Sequence, residues 1–326
     1  MQPDNRREYR QIETELRAQD PLSTVEHGIG AEQTDLIHED IGRIDHILET
    51  DKTLSYTEKQ QLYDMGINLR LDWMYADDGG KNLDFPKFEA EAKATGEFFG
   101  KAMGHAKERS DYDPTIAWGV QTKWLDLEAY RAHRYLKESE TTFKGTPKAA
   151  QAREAGNLKM EKVLRSSAAM MLDMEPHAHG EGQLGKDTRG LLYEHMITTY
   201  ARYQTFDAEN FDDVFVRTAL SREDRPWNGH VTPKRSFDIV IESAEGTRLL
   251  QAKNYDNSDE YAAPIEKVKD TAFARTRHDL REYVKDFNIL VANMGDEKVR
   301  ERTAHAGNHL DNVFGKQLAE ASVIES

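Results

Sequence analysis

Three polar residues at the ends of two neighbouring β-type segments are the best candidates for chemistry in this chain. Asp238 lies in an alternating segment at residues 236–242, on the side opposite the apolar residues. Gln251 and Lys253 share one side of the next β-type segment, and a hairpin turn at residues 244–247 would bring them beside Asp238. Burying an aspartate and a lysine is costly unless the two groups pair or bind something. The pattern therefore predicts a site for a divalent cation and a phosphate group.

The expected role of each group follows from its charge. Asp238 would supply a hard anionic oxygen for Mg²⁺ (or Mn²⁺), and the side-chain oxygen of Gln251 and the backbone carbonyl of Ala252 would complete an oxygen shell. Lys253 would orient and help deprotonate the attacking water, or stabilise negative charge that develops at phosphorus. Glu194, on the preceding helix, would contribute a further ligand directly or through water.

The segments around these residues alternate between helix and strand patterns. In chain order the sequence predicts a helix at 189–204, strands at 214–216, 236–242 and 248–254, a helix at 264–284, a strand at 288–292 and a final helix at about 296–305. The strand at 288–292 is predicted from an apolar run without alternation, which is typical of a buried strand. The core order, αβββαβ, predicts an α/β domain with a mixed sheet.

The residue set and the element order resemble the PD-(D/E)XK nuclease superfamily. Glu194, Asp238 and the run Gln251-Ala252-Lys253 carry the resemblance, and the Gln-x-Lys form is similar to Mrr-type restriction endonucleases. Gln251 replaces the usual acid, and Ser236-Phe237 stands where the family's proline would precede the aspartate. The resemblance implies Mg²⁺-dependent hydrolysis of phosphodiester bonds, usually of DNA. It says nothing about residues 1–185.

Basic residues after the hairpin are candidates for contacts to nucleic acid. They lie in and near the helix predicted at 264–284: Lys267, Lys269, Arg275, Arg277 and Arg281. A solvated, charged helix surface is the commoner meaning of such a pattern. Two histidine pairs are weaker candidates for metal binding, since His177 and His179 lack a third ligand nearby and His305 and His309 lack a flanking hairpin.

The chain before the nuclease-like part has a different pattern. We predict a flexible arm at residues 1–30, an all-α irregular helical bundle at 31–175, a linker at 176–187 and the nuclease-like domain at 188–326. Apolar residues at three- and four-residue spacing support the helices, and prolines stand near the expected helix starts: Pro86, Pro114 and Pro147. The predicted fold class is thus a helical bundle followed by an α/β PD-(D/E)XK nuclease-like domain.

Composition and charge limit the function classes. The 326 residues include no cysteine, which excludes a disulfide framework and a thiolate metal site. The formal net charge is −15, of which residues 186–326 contribute −5 and residues 1–185 contribute −10. This balance predicts modest, salt-sensitive binding to nucleic acid. No apolar run reaches the ~18–20 residues that a membrane span needs, and the charged start is unlike a secretory signal. We therefore expect a cytoplasmic protein without a membrane partner.

Three functions are compatible with these features. The leading hypothesis is a metal-dependent endonuclease in a restriction, defence or mobile-element setting, whose helical part regulates, forms a homo-oligomer or recognises a protein partner. The second is a catalytically silent module that binds nucleic acid or protein, which the acidic charge and Gln251 favour. The third is that the helical part carries the main function by docking a protein. Metal-dependent cleavage of plasmid DNA separates the first hypothesis from the other two.

Overall fold

The computed structural model describes most of the chain after residue 30. The described residues are 31–75, 84–109, 113–207, 214–218, 238–243, 246–253, 272–275, 280–294, 297–315 and 322–324. They form two compact units, the first ending at residue 109 and the second beginning at residue 113. Each unit contains buried apolar side chains of its own.

The described part of the first unit contains three helices. They are α1 (Ala31–Thr50), α2 (Tyr56–Tyr75) and α3 (Phe85–Lys107). A capping box begins α2, because the Ser55 backbone N–H donates to the Glu58 carboxylate at 2.9 Å and the Glu58 N–H donates to Ser55 Oγ at 3.3 Å. The helices expected in this part of the sequence are therefore present, and local hydrogen bonds explain where α2 begins.

The second unit is also built mainly from helices. In its described part these are α4 (Pro114–Glu140), α5 (Pro147–Ala178), α6 (Gly182–Asp207), α7 (Leu280–Ala292) and α8 (Glu297–Leu310), which is followed by a π-helical turn at Asp311–Gly315. The Asp113 side chain caps α4 by accepting a hydrogen bond from the Thr115 backbone N–H at 3.1 Å. Helix α5 packs against α4, α6 and α7.

Short strands lie beside these helices. They are β1 (Val214–Thr218), β2 (Ile239–Ser243), β3 (Gly246–Lys253), β4 (Ala272–Arg275) and β5 (Ser322–Ile324). The order is β1–β2–β3–β4; the first two pairings are antiparallel, and β4 runs parallel to residues 250–253 of β3. Strand β5 pairs antiparallel with residues 247–249 of β3. Helix α6 packs against β1 and β3, and α4 packs against β1.

The fold class expected from the sequence, a helical bundle followed by an α/β PD-(D/E)XK nuclease-like domain, is wrong. The described residues are mostly helical. Residues 288–292, predicted to be a strand, lie in α7, and β4 lies within the helix predicted at 264–284. The apolar run at 288–292 continues a helical spacing of buried residues that begins with Tyr283, Val284 and Phe287. A short apolar run by itself does not distinguish a buried strand from a buried helix.

Most of the expected linker, residues 176–187, lies in helices. Helix α5 ends at Ala178 and α6 begins at Gly182, so three residues separate two helices that pack together. Helices α4 and α5, predicted to belong to an N-terminal bundle, lie in the same compact unit as the strands. Along the chain, the boundary between the units falls between residues 109 and 113, whereas the sequence predicts a linker at 176–187. The expected flexible arm, residues 1–30, lies outside the described residues.

A close contact between α4 and α5 depends on Gly156. A Cβ added there would lie 2.7 Å from Leu136 Cγ and 3.1 Å from the Ala132 backbone oxygen. Gly156→Ala is expected to destabilise the second unit by ~1–3 kcal/mol, because the two helices must move apart. Gly119→Ala in α4 is the matched control, since an added Cβ meets no described atom within 4 Å; it is expected to be neutral or to stabilise by up to ~1 kcal/mol. Urea unfolding measures both, and equal stabilities would contradict the contact.

Candidate functional site

The hairpin of β2 and β3 brings Asp238 opposite Gln251. Ile239 pairs with Leu250 in the antiparallel register. Asp238 directly precedes Ile239 and Gln251 directly follows Leu250, so the same register continued by one residue places these two positions opposite each other. Asp238 is half-buried. The hairpin expected from the alternating pattern is therefore present.

Strand β4 adds a basic position to the same end of the sheet. Because β4 is parallel to β3, Gln251 pairs with Phe273 and Lys253 pairs with Arg275. The last residue of β1, Thr218, pairs with the first residue of β2, Ile239. The end of the sheet defined by Thr218, Asp238, residues 251–253 and Arg275 is called the site end below. It contains every position of the Asp–Gln-x-Lys motif, including Ala252.

Glu194 lies on α6, the helix that packs against β1 and β3. Its side chain is half-buried, and its backbone carbonyl accepts a hydrogen bond from Thr198 Oγ1 at 2.9 Å. Helix α6, which carries Glu194, therefore contacts β3, the strand that carries Gln251 and Lys253.

The structure describes two of the five basic residues expected to bind nucleic acid. Arg275 is the β4 residue paired with Lys253. Arg281, in the first turn of α7, donates from Nε to Glu175 Oε1 at 2.9 Å while its side chain remains 63% exposed. Arg281 therefore joins α7 to α5 through an ion pair and is still accessible. Lys267, Lys269 and Arg277 lie outside the described residues.

The donor groups of the predicted motif match a hard divalent cation in kind. Two carboxylates, Glu194 and Asp238, and the amide oxygen of Gln251 are all oxygen donors of the type that Mg²⁺ prefers. Among the described residues, no three histidine, aspartate or glutamate side chains form a group that could hold a metal by themselves. A cation here would therefore depend on Gln251, the Ala252 carbonyl, water or substrate for its remaining ligands.

The histidine pairs considered from the sequence have other contacts. His179 Nε2 lies 2.8 Å from Glu175 Oε1, and the His177 ring lies edge-on to Trp118 at 5.3 Å. His309 Nδ1 lies 2.5 Å from Asp286 Oδ2. The His177 and His309 contacts join helices of the second unit, and the His179 contact lies within the last turn of α5. They favour a structural role for these three side chains.

A buried ion pair, not expected from the sequence, holds β1 to two helices. Arg202 on α6 and Asp126 on α4 are both fully buried and form a salt bridge. Arg202 Nε also donates to the Val216 carbonyl at 3.0 Å. Asp126 accepts hydrogen bonds from the Thr218 backbone N–H, at 3.2 and 3.3 Å to its two oxygens, and from the Thr218 hydroxyl. We call Asp126, Arg202 and Thr218 the β1 clamp.

The β1 clamp lies next to the site end. Thr218 pairs with Ile239, the residue that follows Asp238. Lys123 on α4 donates from Nζ to Thr218 Oγ1 at 2.9 Å. Further along α4, the Tyr130 ring lies 5.1 Å from the Phe215 ring near the start of β1. Helix α4 therefore runs antiparallel to β1, with Lys123 towards the site end.

Sequence reasoning missed these residues because it assigned α4 to a separate bundle. Asp126 is 76 positions from Arg202 and 92 positions from Thr218, so no local spacing connects them. The sequence feature that could have indicated a buried ion pair is the apolar residues on both sides of Asp126. Asp126 lies between Leu125 and Leu127, and an acid flanked by buried leucines is a candidate for a paired, buried charge.

His195, the residue after Glu194, is buried in the same helical core. Burial and, to a smaller extent, the nearby Arg202 lower the pKa of His195 to about 3, and Asp126 partly opposes the shift. The Ser167 backbone of α5 faces the ring. Within the described part of the chain, neither ring nitrogen makes a hydrogen bond of normal geometry. His195 is therefore neutral at physiological pH.

Comparisons with known proteins found no relative. No family model matches the chain, and no curated protein or solved structure is significantly similar to it. In the part of the chain that the structure describes, none of the helices combines the length and the apolar character that crossing a membrane requires.

Proposed function

We propose that the site end carries out metal-dependent hydrolysis of phosphodiester bonds, with DNA as the substrate and Mg²⁺ or Mn²⁺ as the cofactor. The observation that supports this most is the β2–β3 register, which sets Asp238 opposite Gln251 with Lys253 two residues further along. The packing of α6, which carries Glu194, against β3 adds to it. The proposal rests on this local arrangement and the donor chemistry, and does not depend on a fold class.

Each residue has a role that follows from its chemistry. Asp238, Glu194, the Gln251 side chain and the Ala252 carbonyl would hold the cation through oxygen. When bound, a divalent cation supplies a counter-charge for the phosphate and favours deprotonation of water. Lys253 would orient the attacking water or stabilise the negative charge that develops on the phosphate oxygens. Arg275, paired with Lys253 in the register, would contact the substrate backbone.

A catalytically silent binding module is the second candidate function. Gln251 provides a neutral oxygen where an acid would bind a cation more strongly, so the proposed ligand set has two carboxylates, those of Glu194 and Asp238. The net charge of −15 also disfavours tight, non-specific binding of nucleic acid. In this case the site end would bind nucleic acid or a protein without cleavage.

We place the activity in the cytoplasm, in a restriction, defence or mobile-element setting. The absence of cysteine from the sequence is compatible with a reducing compartment. The first unit and the exposed faces of α5 would provide surfaces for a homo-oligomer or a protein partner.

The experiment is plasmid cleavage by the full chain with Mg²⁺ or Mn²⁺, with metal affinity measured by calorimetry. Asp238→Ala is expected to weaken metal binding and abolish cleavage together, because it removes an anionic ligand. Lys253→Ala is expected to lower the single-turnover rate by ~10²-fold or more while metal affinity is kept or slightly raised. Lys285→Ala, at an exposed α7 position, is the matched control and should cleave like the parent.

Three outcomes would decide against parts of this proposal. Full cleavage in the presence of a chelator would exclude the metal-dependent mechanism. Unchanged cleavage by a folded Lys253→Ala variant would remove Lys253 from the mechanism. A parent that binds DNA but cuts none under any metal condition would support the silent module.

A further inference from the structure

The β1 clamp joins β1 to the helix that carries one of the proposed carboxylate ligands. Arg202 lies on α6, roughly two turns after Glu194. Arg202 forms the buried salt bridge with Asp126 of α4. Asp126 in turn accepts hydrogen bonds from the backbone N–H and the hydroxyl of Thr218. A continuous set of buried contacts therefore leads from the helix of Glu194 to the last residue of β1.

The clamp also binds backbone groups of β1 that face away from β2. Among the described strands, β1 lies at an edge of the sheet. In an antiparallel pair, the N–H and C=O groups of every second residue face away from the partner strand. The Thr218 N–H, bound to Asp126, and the Val216 carbonyl, bound to Arg202 Nε at 3.0 Å, are such groups. The clamp therefore fixes where β1 lies along α4 and α6.

The position of β1 affects the site end because the β1–β2 register leads to Asp238. Thr218 pairs with Ile239, the residue that follows Asp238. Since the Thr218 N–H faces Asp126, Thr218 and Ile239 form a pair without mutual hydrogen bonds, in which the two side chains lie close together. Without the clamp, packing alone would hold this last pair of the ladder. A displacement of about 1 Å at a reacting group can lower the rate of an enzyme by ~10²-fold.

We propose that Asp126 and Thr218 are positioning residues for the metal site. They hold the end of β1 and thereby fix the place of Asp238 relative to Glu194. This inference rests on the proposed function and extends it, because it makes α4, a helix predicted to belong to a separate bundle, part of the support of the site. Substitution of residues that orient metal ligands without touching the metal typically lowers metal affinity or activity by ~10–100-fold.

The test compares Thr218→Val with the parent, because valine keeps the β-branched shape and the backbone N–H while it removes the hydroxyl. Affinity for Mn²⁺ alone is measured by calorimetry, and kcat and KM for plasmid DNA are measured at saturating Mn²⁺. Thr218→Val is expected to bind Mn²⁺ ~10-fold more weakly and to lower kcat by ~10-fold or more. KM should stay at the parent's value, because Arg275, the residue proposed to contact the DNA backbone, lies on β4. Thr218→Ser, which keeps the hydroxyl, should restore Mn²⁺ affinity and kcat.

Thr188→Val is the matched control, since it removes the hydroxyl of another buried threonine in the second unit. Thr188 Oγ1 donates to the Leu184 carbonyl of its own helix at 2.8 Å. This variant should keep the Mn²⁺ affinity and kcat of the parent. Equal losses in Thr188→Val and Thr218→Val would show a general effect of destabilisation and would overturn the inference.

The remaining outcomes separate the inference from the proposed function. A folded Thr218→Val variant with the parent's Mn²⁺ affinity and kcat would overturn the inference and leave the proposed function standing. A parent that binds Mn²⁺ in a Thr218-dependent way but cuts no DNA would overturn the catalytic proposal and keep the positioning role. A parent that neither binds Mn²⁺ nor cuts DNA would overturn both. If Thr218→Val does not fold, Thr218→Ala against Thr218→Ser gives the same comparison of a strand end without and with the hydroxyl.

Discussion

Asp126→Ala is expected to lower the free energy of unfolding of the second unit by about 3–5 kcal/mol, because it leaves the Arg202 guanidinium buried without a counter-charge. Both side chains are 1% exposed in the salt bridge. The alanine also removes the acceptor of the Thr218 backbone N–H and hydroxyl. Urea unfolding at neutral pH, followed by circular dichroism and by tryptophan fluorescence, measures the loss.

The matched control breaks an ion pair of the same kind on the surface. Glu161→Ala removes the partner of Arg165 on α5, where the two side chains are 40% and 48% exposed. It is expected to change the free energy of unfolding by less than about 0.5 kcal/mol, since water solvates both charges. The pair of variants separates the effect of burial from the loss of an ion pair as such.

A double variant tests whether the uncompensated charge causes the loss. Asp126→Ala combined with Arg202→Met removes both charges of the β1 clamp, so the double variant is expected to be at least as stable as Asp126→Ala alone. The single variant Arg202→Met is measured as well. If the double variant loses the sum of the free energies of unfolding that the two single variants lose, the two residues are not coupled, and the β1 clamp does not act as one unit.

The hairpin at the candidate site was predictable because its signals are local. Alternation in residues 236–242 and 248–254, with turn-forming residues between them, determines which residues can lie opposite each other. The register then follows, and it sets Asp238 opposite Gln251. The prediction of this part of the site needed no information about the rest of the chain.

One error came from a local pattern that fits two structures, and the other arose where the deciding information is not local. The apolar run at 288–292 is compatible with a strand, and only its continuity with Tyr283 and Phe287 on one buried side identifies α7 as a helix. The place of α4 beside β1 depends on contacts between residues 76 to 95 positions apart, such as Asp126 to Arg202 and Lys123 to Thr218. Composition and periodicity contain no record of such pairings, so the sequence placed α4 in another domain.

His195 is expected to make the second unit sensitive to acid. Its pKa is about 3 in the folded chain, against 6.5 for an unperturbed histidine. Between these values the unfolded chain binds a proton that the folded chain does not, so the free energy of unfolding falls as the pH falls. The slope is about 1.4 kcal/mol per pH unit. From pH 7 to about pH 4.5 this one group should therefore cost roughly 2–3 kcal/mol of stability.

The cause of this sensitivity lies in the groups around the ring. Arg202 on the same helix disfavours a second positive charge, Asp126 on α4 already pairs with Arg202, and α5 presents the Ser167 backbone. Burial excludes the water that would otherwise solvate an imidazolium. No element packed on the ring thus offers a protonated His195 an unshared anionic partner among the described residues.

His195→Leu tests this account, because leucine fills a similar volume and does not titrate. Urea unfolding across about pH 4.5 to 7 should give a steeper loss for the parent than for the variant, with the difference near 2–3 kcal/mol at the acid end. His305→Gln, at an exposed position on α8, should keep the parent's pH profile. Protonation of carboxylates in acid lowers the free energy of unfolding equally in all three proteins, so the difference between the profiles isolates His195. Parallel profiles for the parent and His195→Leu would contradict this account. They would mean that His195 accepts a proton in the folded chain as readily as in the unfolded chain.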